Sequence, residues 1–153
     1  MASRRRAREF ALQGLYHADL SDVPVAAALN ALWAGLLEGE GLDEGRAPES
    51  EEVEFAQRVA FGVEQGREQI DELIESCSTN WRLPRMPVVD RNILRMAAFE
   101  LMSCPDIPAT VSINEAVELA KKFGTSESRA FVNGIVDRMA RQLERIPSDR
   151  RRG

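Results

Sequence analysis

The sequence has few of the residues that build metal centres and disulfide frameworks. Its 153 residues contain a single histidine, His17, and two cysteines, Cys77 and Cys104. One histidine excludes a zinc site built on several imidazoles. Together with two cysteine thiolates it would provide only three of the four ligands of a structural zinc site. Two cysteines make no disulfide framework, so the cytoplasm is the expected compartment. We predict that the protein has no metal site and no cofactor.

The sequence also lacks the motifs of common enzymes and the long apolar runs of membrane proteins. It contains no P-loop, no G-x-G-x-x-G and no G-x-S-x-G. No window reaches the roughly 18 uncharged apolar residues that span a bilayer. The basic N-terminus is followed by Gln13, His17 and Asp19, which interrupt any signal-peptide core. We therefore expect a protein without catalytic residues or membrane contact, which binds a partner rather than transforming a substrate.

Charge is distributed unevenly along the chain. The net charge is −5, yet residues 1–10 hold four arginines against Glu9, and residues 38–54 hold eight acidic residues against Arg46. A basic N-terminal patch on a mildly acidic body indicates a local site for a polyanion. Solvated chain ends would explain the same pattern, so the charges alone leave both interpretations open.

Hydrophobic periodicity predicts an all-α protein. Ala and Leu total 33 residues against 21 for Val, Ile and Thr, and no segment sustains the alternation of a strand. Apolar residues recur with the helical period in about six segments. These segments are about 4–20, 25–37, 50–79, 89–103 and 113–123, with a last helix that starts at Thr125 or Ser126.

Proline and glycine mark the expected boundaries between these helices. Pro84 and Pro87 predict a division into an N-terminal helical bundle, residues 1–83, and a C-terminal one, residues 84–153. Neither half is large enough to bury a core that would make it stable alone, so we expect the halves to pack together. The acidic, glycine-rich residues 38–48 are expected to form a surface loop.

Two local motifs predict how the later helices begin and end. Ser112 and Glu115 have the spacing of a capping box, in which each side chain accepts from the other's backbone amide. Gly124 follows the periodic segment where a left-handed residue commonly ends a helix. These motifs place the start of one helix at Ser112 and its end at Gly124.

Short motifs at both ends of the chain resemble one protein family. They are RRRARE at residues 4–9, QGLY at 13–16, VDRNILR at 89–95, SINEA at 112–116, AKKFG at 120–124 and FVNGI at 131–135. In sequence and spacing they resemble the NusB transcription antitermination family. Residues 21–54 carry no matching motif.

The resemblance implies both an architecture and a function. The fold it implies is two packed three-helix bundles. The function it implies is binding of single-stranded boxA RNA in the nascent transcript, jointly with the small ribosomal protein NusE. The complex would then join RNA polymerase in an antitermination complex and suppress termination, chiefly in ribosomal RNA operons. Some members of the family self-associate, so a homodimer is also possible.

On a helical wheel, the charged heads of the first helix lie on or beside the face opposite the apolar core. Arginine suits phosphate through its paired donors, and an exposed aromatic suits base stacking or a protein partner. Together with the resemblance, this predicts RNA binding by Arg4, Arg5, Arg6, Arg8, Gln13 and Tyr16. Tyr16 could equally serve the interface with NusE.

Two further sets of residues owe their predicted roles to the resemblance. The turn around Gly124 is implied to lie near the RNA, with secondary contacts from Lys121, Lys122, Thr125 and Arg129. A solvated helix end, whose cations complement the helix dipole, would explain the lysines alone. Asp90 is either a cap or dipole partner at its helix start or, as the resemblance suggests, an acidic contact for NusE.

Two other functions remain open at this point. A similar helical domain precedes the catalytic domain of ribosomal RNA methyltransferases, so the chain could act in trans with such an enzyme. It could instead be a protein–protein dimerisation scaffold that uses its amphipathic helices and ignores RNA.

Overall fold

Helices form all the regular structure in the described part of the chain. The computed structural model describes residues 2–37 and 46–147, where it has seven α-helices, one short 3-10 helix and no strand. The helices are α1 (Arg4–Ser21), α2 (Val25–Leu37), α3 (Ser50–Gln65), α4 (Arg67–Cys77), α5 (Val88–Ser103), α6 (Ala109–Phe123) and α7 (Ser128–Gln142), with the 3-10 helix at Leu83–Arg85. The prediction of an all-α fold is confirmed. None of these helices is long and apolar enough to cross a membrane.

The helices form two compact units, Met1–Gln65 and Gly66–Gly153. In the first unit, α1 packs against α2 and α3. In the second, α5, α6 and α7 pack against one another, and α4 packs on α5 and α7. The division therefore comes earlier in the chain than Pro84, where the sequence predicts it. The physical reason is that α4, which precedes the prolines, buries Ile70 and Ile74 in the second unit.

A break at Gly66 separates α3 from α4. The sequence predicts one helix over residues 50–79, but α3 ends at Gln65 and α4 begins at Arg67. Gly66 has φ −98° and ψ 16°, outside the helical range, and its carbonyl accepts from the backbone N–H of Ile70. Glycine is a poor helix former, so the helix is interrupted at Gly66 although the periodic apolar pattern continues through it.

The first unit is held together by the buried face of α1. Ser3 caps this helix, since its Oγ accepts from the backbone N–H of Arg6 at 3.1 Å. Phe10 meets Trp33 of α2 edge-on, with ring centroids 5.6 Å apart. Gly14 lets α2 approach closely, because a Cβ at this position would collide with the side chain of Leu29.

Two predicted end motifs in the second unit are wrong. Helix α6 starts at Ala109, one turn earlier than the capping box requires, and the Ser112 hydroxyl instead donates to Glu100 Oε1 at 2.8 Å. Gly124 is extended, with φ −90° and ψ −167°, rather than left-handed. Its lack of a side chain still matters, because a Cβ there would collide with Ser128.

The predicted acidic surface loop at residues 38–48 can be followed only in part. Residues 38–45 lie outside the described residues. Arg46 is described, and it joins the first unit through an ion pair of 2.9 Å with Glu52 of α3.

Candidate nucleic-acid interface

The outward face of α1 presents polar side chains and one aromatic ring. Arg5 and Gln13 are exposed on this face, in agreement with their predicted places on the wheel. Arg4, which the wheel places at the edge of the core, is exposed as well. Tyr16 is 38% exposed, and Leu20, one turn further along, is 61% exposed. The opposite face is buried among α2 and α3. This face therefore offers guanidinium, amide and phenol groups along a single rigid helix.

Arg6 does not belong to this exposed face. It is 6% exposed, and its Nη1 lies 3.0 Å from Glu52 Oε1 in an ion pair. Its Nη2 also donates to the backbone carbonyl of Arg46 at 2.6 Å. The prediction that the charged head of Arg6 lies beside the polar face is wrong, because α3 and the segment before it cover this side of α1.

Glu52 gathers several donors at the start of α1 and α3. Its carboxylate accepts from Arg6, from both terminal nitrogens of Arg46 and from the backbone N–H groups of Ser3 and Glu49. Burial alone would raise the pKa of Glu52, but the hydrogen bonds from Arg46, Glu49 and Ser3 together lower it to about 2. In the sequence Glu52 appears only as one of several acids at a helix start, so nothing there distinguishes it.

Three arginines surround one aromatic ring at the junction of α1 and α3. The guanidinium carbons of Arg4, Arg8 and Arg58 lie 4.5, 5.2 and 6.0 Å from the centroid of Phe55. Arg8 is buried, which again differs from its predicted place beside the polar face, whereas Arg4 and Arg58 are exposed. The sequence prediction missed Arg58. Its position three residues after Phe55 on α3 is the signal that could have revealed it.

A second polar group lies in the other unit, at the turn between α6 and α7. Its exposed members are the residues that the resemblance singles out, namely Lys121, Lys122, Thr125 and Arg129. Lys121 lies 3.5 Å from Glu118 Oε1 in an exposed i,i+3 ion pair. The Lys122 ammonium lies 5.4 Å from the ring centroid of Phe123. The turn thus places two ammonium groups, a hydroxyl and a guanidinium within nine residues of the chain.

Asp90 is a buried hydrogen-bond partner of this turn. It is 4% exposed, and its Oδ1 accepts from the hydroxyl of Ser128 at 2.7 Å. The same hydroxyl accepts from the backbone N–H of Thr125 at 2.9 Å. Burial raises the pKa of Asp90, and the bond from Ser128 opposes the rise. An acidic contact with a protein partner requires an exposed carboxylate, so this geometry replaces the predicted partner role of Asp90 with a positioning role.

The remaining candidate chemistry is sparse. Within residues 2–37 and 46–147, no group of three or more His, Cys, Asp or Glu side chains could hold a metal ion. Cys77 and Cys104 are buried, and neither forms a disulfide bond. His17 is exposed on α1.

Comparison with known proteins decides the family. The sequence model of the NusB family matches residues 5–141. The chain belongs to the NusB family. The transcription antitermination protein NusB of Myxococcus xanthus is 47% identical over 145 residues, covering 95% of this chain and 99% of that protein. The NusB of Desulforapulum autotrophicum is 48% identical over 139 residues, covering 91% of this chain and 92% of its own.

Solved structures of the NusB family have the same fold. Thermotoga maritima NusB superposes with a TM-score of 0.78 at 38% identity, covering 93% of this chain and 94% of that one. A crystal structure of the antitermination factors NusB and NusE with double-stranded RNA gives a TM-score of 0.76 at 23% identity, covering 91% and 96%. At that identity the second comparison shows the fold alone. Membership of the NusB family confirms the predicted family and the prediction that the chain is not an enzyme.

Proposed function

We propose that this protein is a transcription antitermination factor that binds boxA-type single-stranded RNA together with NusE. In this proposal the complex joins RNA polymerase in the cytoplasm and promotes reading through terminators, chiefly in ribosomal RNA operons. The observation that carries the proposal is the exposed arginine, glutamine and tyrosine face of α1 in a chain of the NusB family.

The chemistry of α1 supports binding of a single strand. The guanidinium groups of Arg4 and Arg5 suit phosphate oxygens, because their paired donors match the geometry of an anion. Gln13 can donate to and accept from a base edge, and Tyr16 provides a ring for stacking. A single strand exposes both its phosphates and its base faces, so one helix face can contact both.

Arg6 and Glu52 contribute to the proposed site by fixing where α1 begins. Glu52 holds the backbone N–H of Ser3, the capping residue of α1, at 2.9 Å. It also holds Arg6, which follows the exposed pair Arg4 and Arg5 directly. The first turn of α1 is therefore fixed at two points, which reduces the entropy lost when Arg4 and Arg5 bind RNA. In this proposal Arg6 is a positioning residue, and Arg8 adds charge beneath the surface.

The turn between α6 and α7 provides the secondary contacts of the proposal. Lys121, Lys122 and Arg129 are exposed cations, and Thr125 adds a hydroxyl. The bonds from Thr125 to Ser128 and from Ser128 to the buried Asp90 keep this turn in one conformation. We assign the turn to RNA binding on the NusB family resemblance and on this exposure.

Equilibrium binding tests the proposal. A fluorescently labelled boxA RNA is titrated with the protein, with NusE and with both, and anisotropy gives each dissociation constant. We expect the mixture to bind more tightly than either protein alone. A scrambled RNA of equal length should bind less tightly than boxA to the mixture. Arg5→Ala should weaken RNA binding without changing stability, and Arg138→Ala, an exposed arginine on α7, serves as the matched control.

Four outcomes bear on the wider proposal. Absence of RNA binding, with or without NusE, contradicts it. Binding of NusE without RNA, or a stable homodimer that ignores both, favours a protein–protein scaffold. Association with a ribosomal RNA methyltransferase in place of NusE favours an accessory role. Retention of RNA polymerase by the RNA–NusE complex supports the antitermination step.

A further inference from the structure

A cavity of about 470 Å³ opens beside the arginine cluster of the first unit. Its lining includes Ser3 and Arg4 from the start of α1, and Phe55 and Arg58 from α3. Arg4 and Arg58 both border the cavity and both have their guanidinium carbons within 6.0 Å of the Phe55 centroid. Two exposed arginines from different helices thus share one concave surface.

We propose that Arg58 contacts an RNA phosphate and extends the binding surface from α1 onto α3. This inference rests on the function proposed above, and it adds a residue that neither the sequence motifs nor the wheel identifies. The ligand is a backbone phosphate of a single-stranded RNA whose neighbouring phosphates contact Arg4 and Arg5. Arg4 is the shared member of the two parts of the surface.

The electrostatics of the cluster favour an anion there. The guanidinium carbons of Arg4, Arg8 and Arg58 all lie within 6.0 Å of one ring centroid. Salt screens charges beyond a Debye length of about 10 Å at 0.1 M, so the like charges of this cluster repel one another. An anion placed among them relieves this repulsion. A guanidinium has five N–H donors, so Arg58 can bind a phosphate while keeping an interaction within the protein.

Acidic side chains of the same cavity weaken the attraction without removing it. Glu52 lines the cavity, but its carboxylate is fully buried and paired with Arg6 and Arg46. Glu51 and Glu54 are exposed on the lining and offset part of the positive charge. This arrangement predicts opposite effects on RNA affinity for removal of Arg58 and removal of a neighbouring acid.

Arg58→Met and Glu54→Gln test the proposal together. Methionine keeps an unbranched apolar stem over Phe55 and removes the charge together with the N–H donors, so the apolar packing of the ring is retained. Labelled boxA RNA is titrated with each full-length variant, in the presence of NusE, at several salt concentrations. One lost phosphate contact should flatten the log–log salt slope by about 0.7. If the variant and the wild type bind equally at 1 M salt, a slope difference of about 0.7 makes the variant bind about fivefold more weakly at 0.1 M salt.

Each variant has a stated expectation. Arg58→Met should bind about fivefold more weakly with the flatter slope. Glu54→Gln should bind about twofold more tightly, since a nearby negative charge is gone. Arg58→Lys should restore most of the slope. Arg67→Met, which removes an exposed helical arginine paired with Asp71, is the control and should bind like the wild type.

The outcomes separate this inference from the function on which it rests. Wild-type slope and affinity in Arg58→Met, while Arg5→Ala still weakens binding, overturn the inference and leave the proposed function standing. Weaker binding in both Arg58→Met and Glu54→Gln, with unchanged slopes, indicates a packing role and also overturns it. A wild-type protein that binds no RNA overturns both.

Discussion

Replacing Arg6 with alanine should destabilise the protein, whereas replacing the adjacent Arg5 should not. Both are arginines in the first turns of α1, but Arg6 is 6% exposed and Arg5 is exposed. The Arg6 side chain also donates to the carbonyls of Arg46 and Ala47, at 2.6 and 3.4 Å. Arg6→Ala therefore removes an ion pair and two further hydrogen bonds from a buried site.

The size of the effect follows from the surroundings of Glu52. Breaking a buried pair costs about 3–5 kcal/mol because one charge stays buried without its partner. Glu52 keeps Arg46 and two backbone N–H groups, so we expect the lower end, about 3 kcal/mol. For a chain of this length, that lowers the thermal midpoint by about 6–12 °C. Arg5→Ala should stay within about 0.5 kcal/mol of the wild type.

Thermal and urea unfolding followed by circular dichroism at pH 7 measure both variants. The same preparations are titrated with boxA RNA and NusE. Equal stability of Arg6→Ala and Arg5→Ala, with equal losses of RNA affinity, would refute the reasoning. Arg6 would then be an RNA contact of the same kind as Arg5, and the ion pair with Glu52 would contribute little.

Four further expectations follow from individual residues. The hydrogen bonds of Glu52 lower its pKa to about 2 from the ordinary value of 4.5, so ionised Glu52 adds about 3 kcal/mol to the free energy of unfolding. This contribution is complete above pH 4.5 and is lost as the pH falls toward 2. Unfolding measured over a series of acidic pH values should show this loss in the wild type and not in Glu52→Gln. Asp90→Asn should change stability at pH 7 by less than about 1 kcal/mol in urea unfolding, because the amide oxygen still accepts from Ser128 and burial disfavours the charge. Gly124→Ala should lower the melting temperature and weaken RNA binding, because its Cβ would collide with Ser128. Tyr16→Ala should leave the melting temperature within a few degrees and weaken the complex with NusE and RNA about tenfold in anisotropy; loss with RNA alone indicates stacking, and loss with NusE alone indicates a protein contact.

Local patterns predicted the helices well where the apolar repeat and the breakers agree. Pro24 and the apolar run after it give α2 its observed bounds, Val25–Leu37. The prediction of one helix over residues 50–79 fails at Gly66. This single glycine ends α3 but does not interrupt the apolar period on which the prediction is based. Ser112 fails for another reason, since its hydroxyl finds Glu100 on a neighbouring helix and the helix starts earlier.

The composition of the candidate site was less predictable than its location. The wheel places Arg5, Gln13 and Tyr16 on the exposed face, because that face needs only the geometry of one helix. It cannot place Arg6, whose partner Glu52 lies 46 positions away, and it cannot add Arg58 of α3. The positions of Arg6 and Arg58 depend on how α3 packs against α1. This is a tertiary contact, which the periodicity of a single helix does not predict.

The proposed function requires RNA to lie on the exposed face of α1. Ultraviolet cross-linking of labelled boxA RNA to the complex with NusE, followed by mass spectrometry of the digested protein, tests it most directly. We expect cross-links on peptides that contain Tyr16 and its α1 neighbours, and we expect them to be lost in Arg4→Ala/Arg5→Ala. RNA cross-links found only on other helices, unchanged by the double substitution, would contradict it.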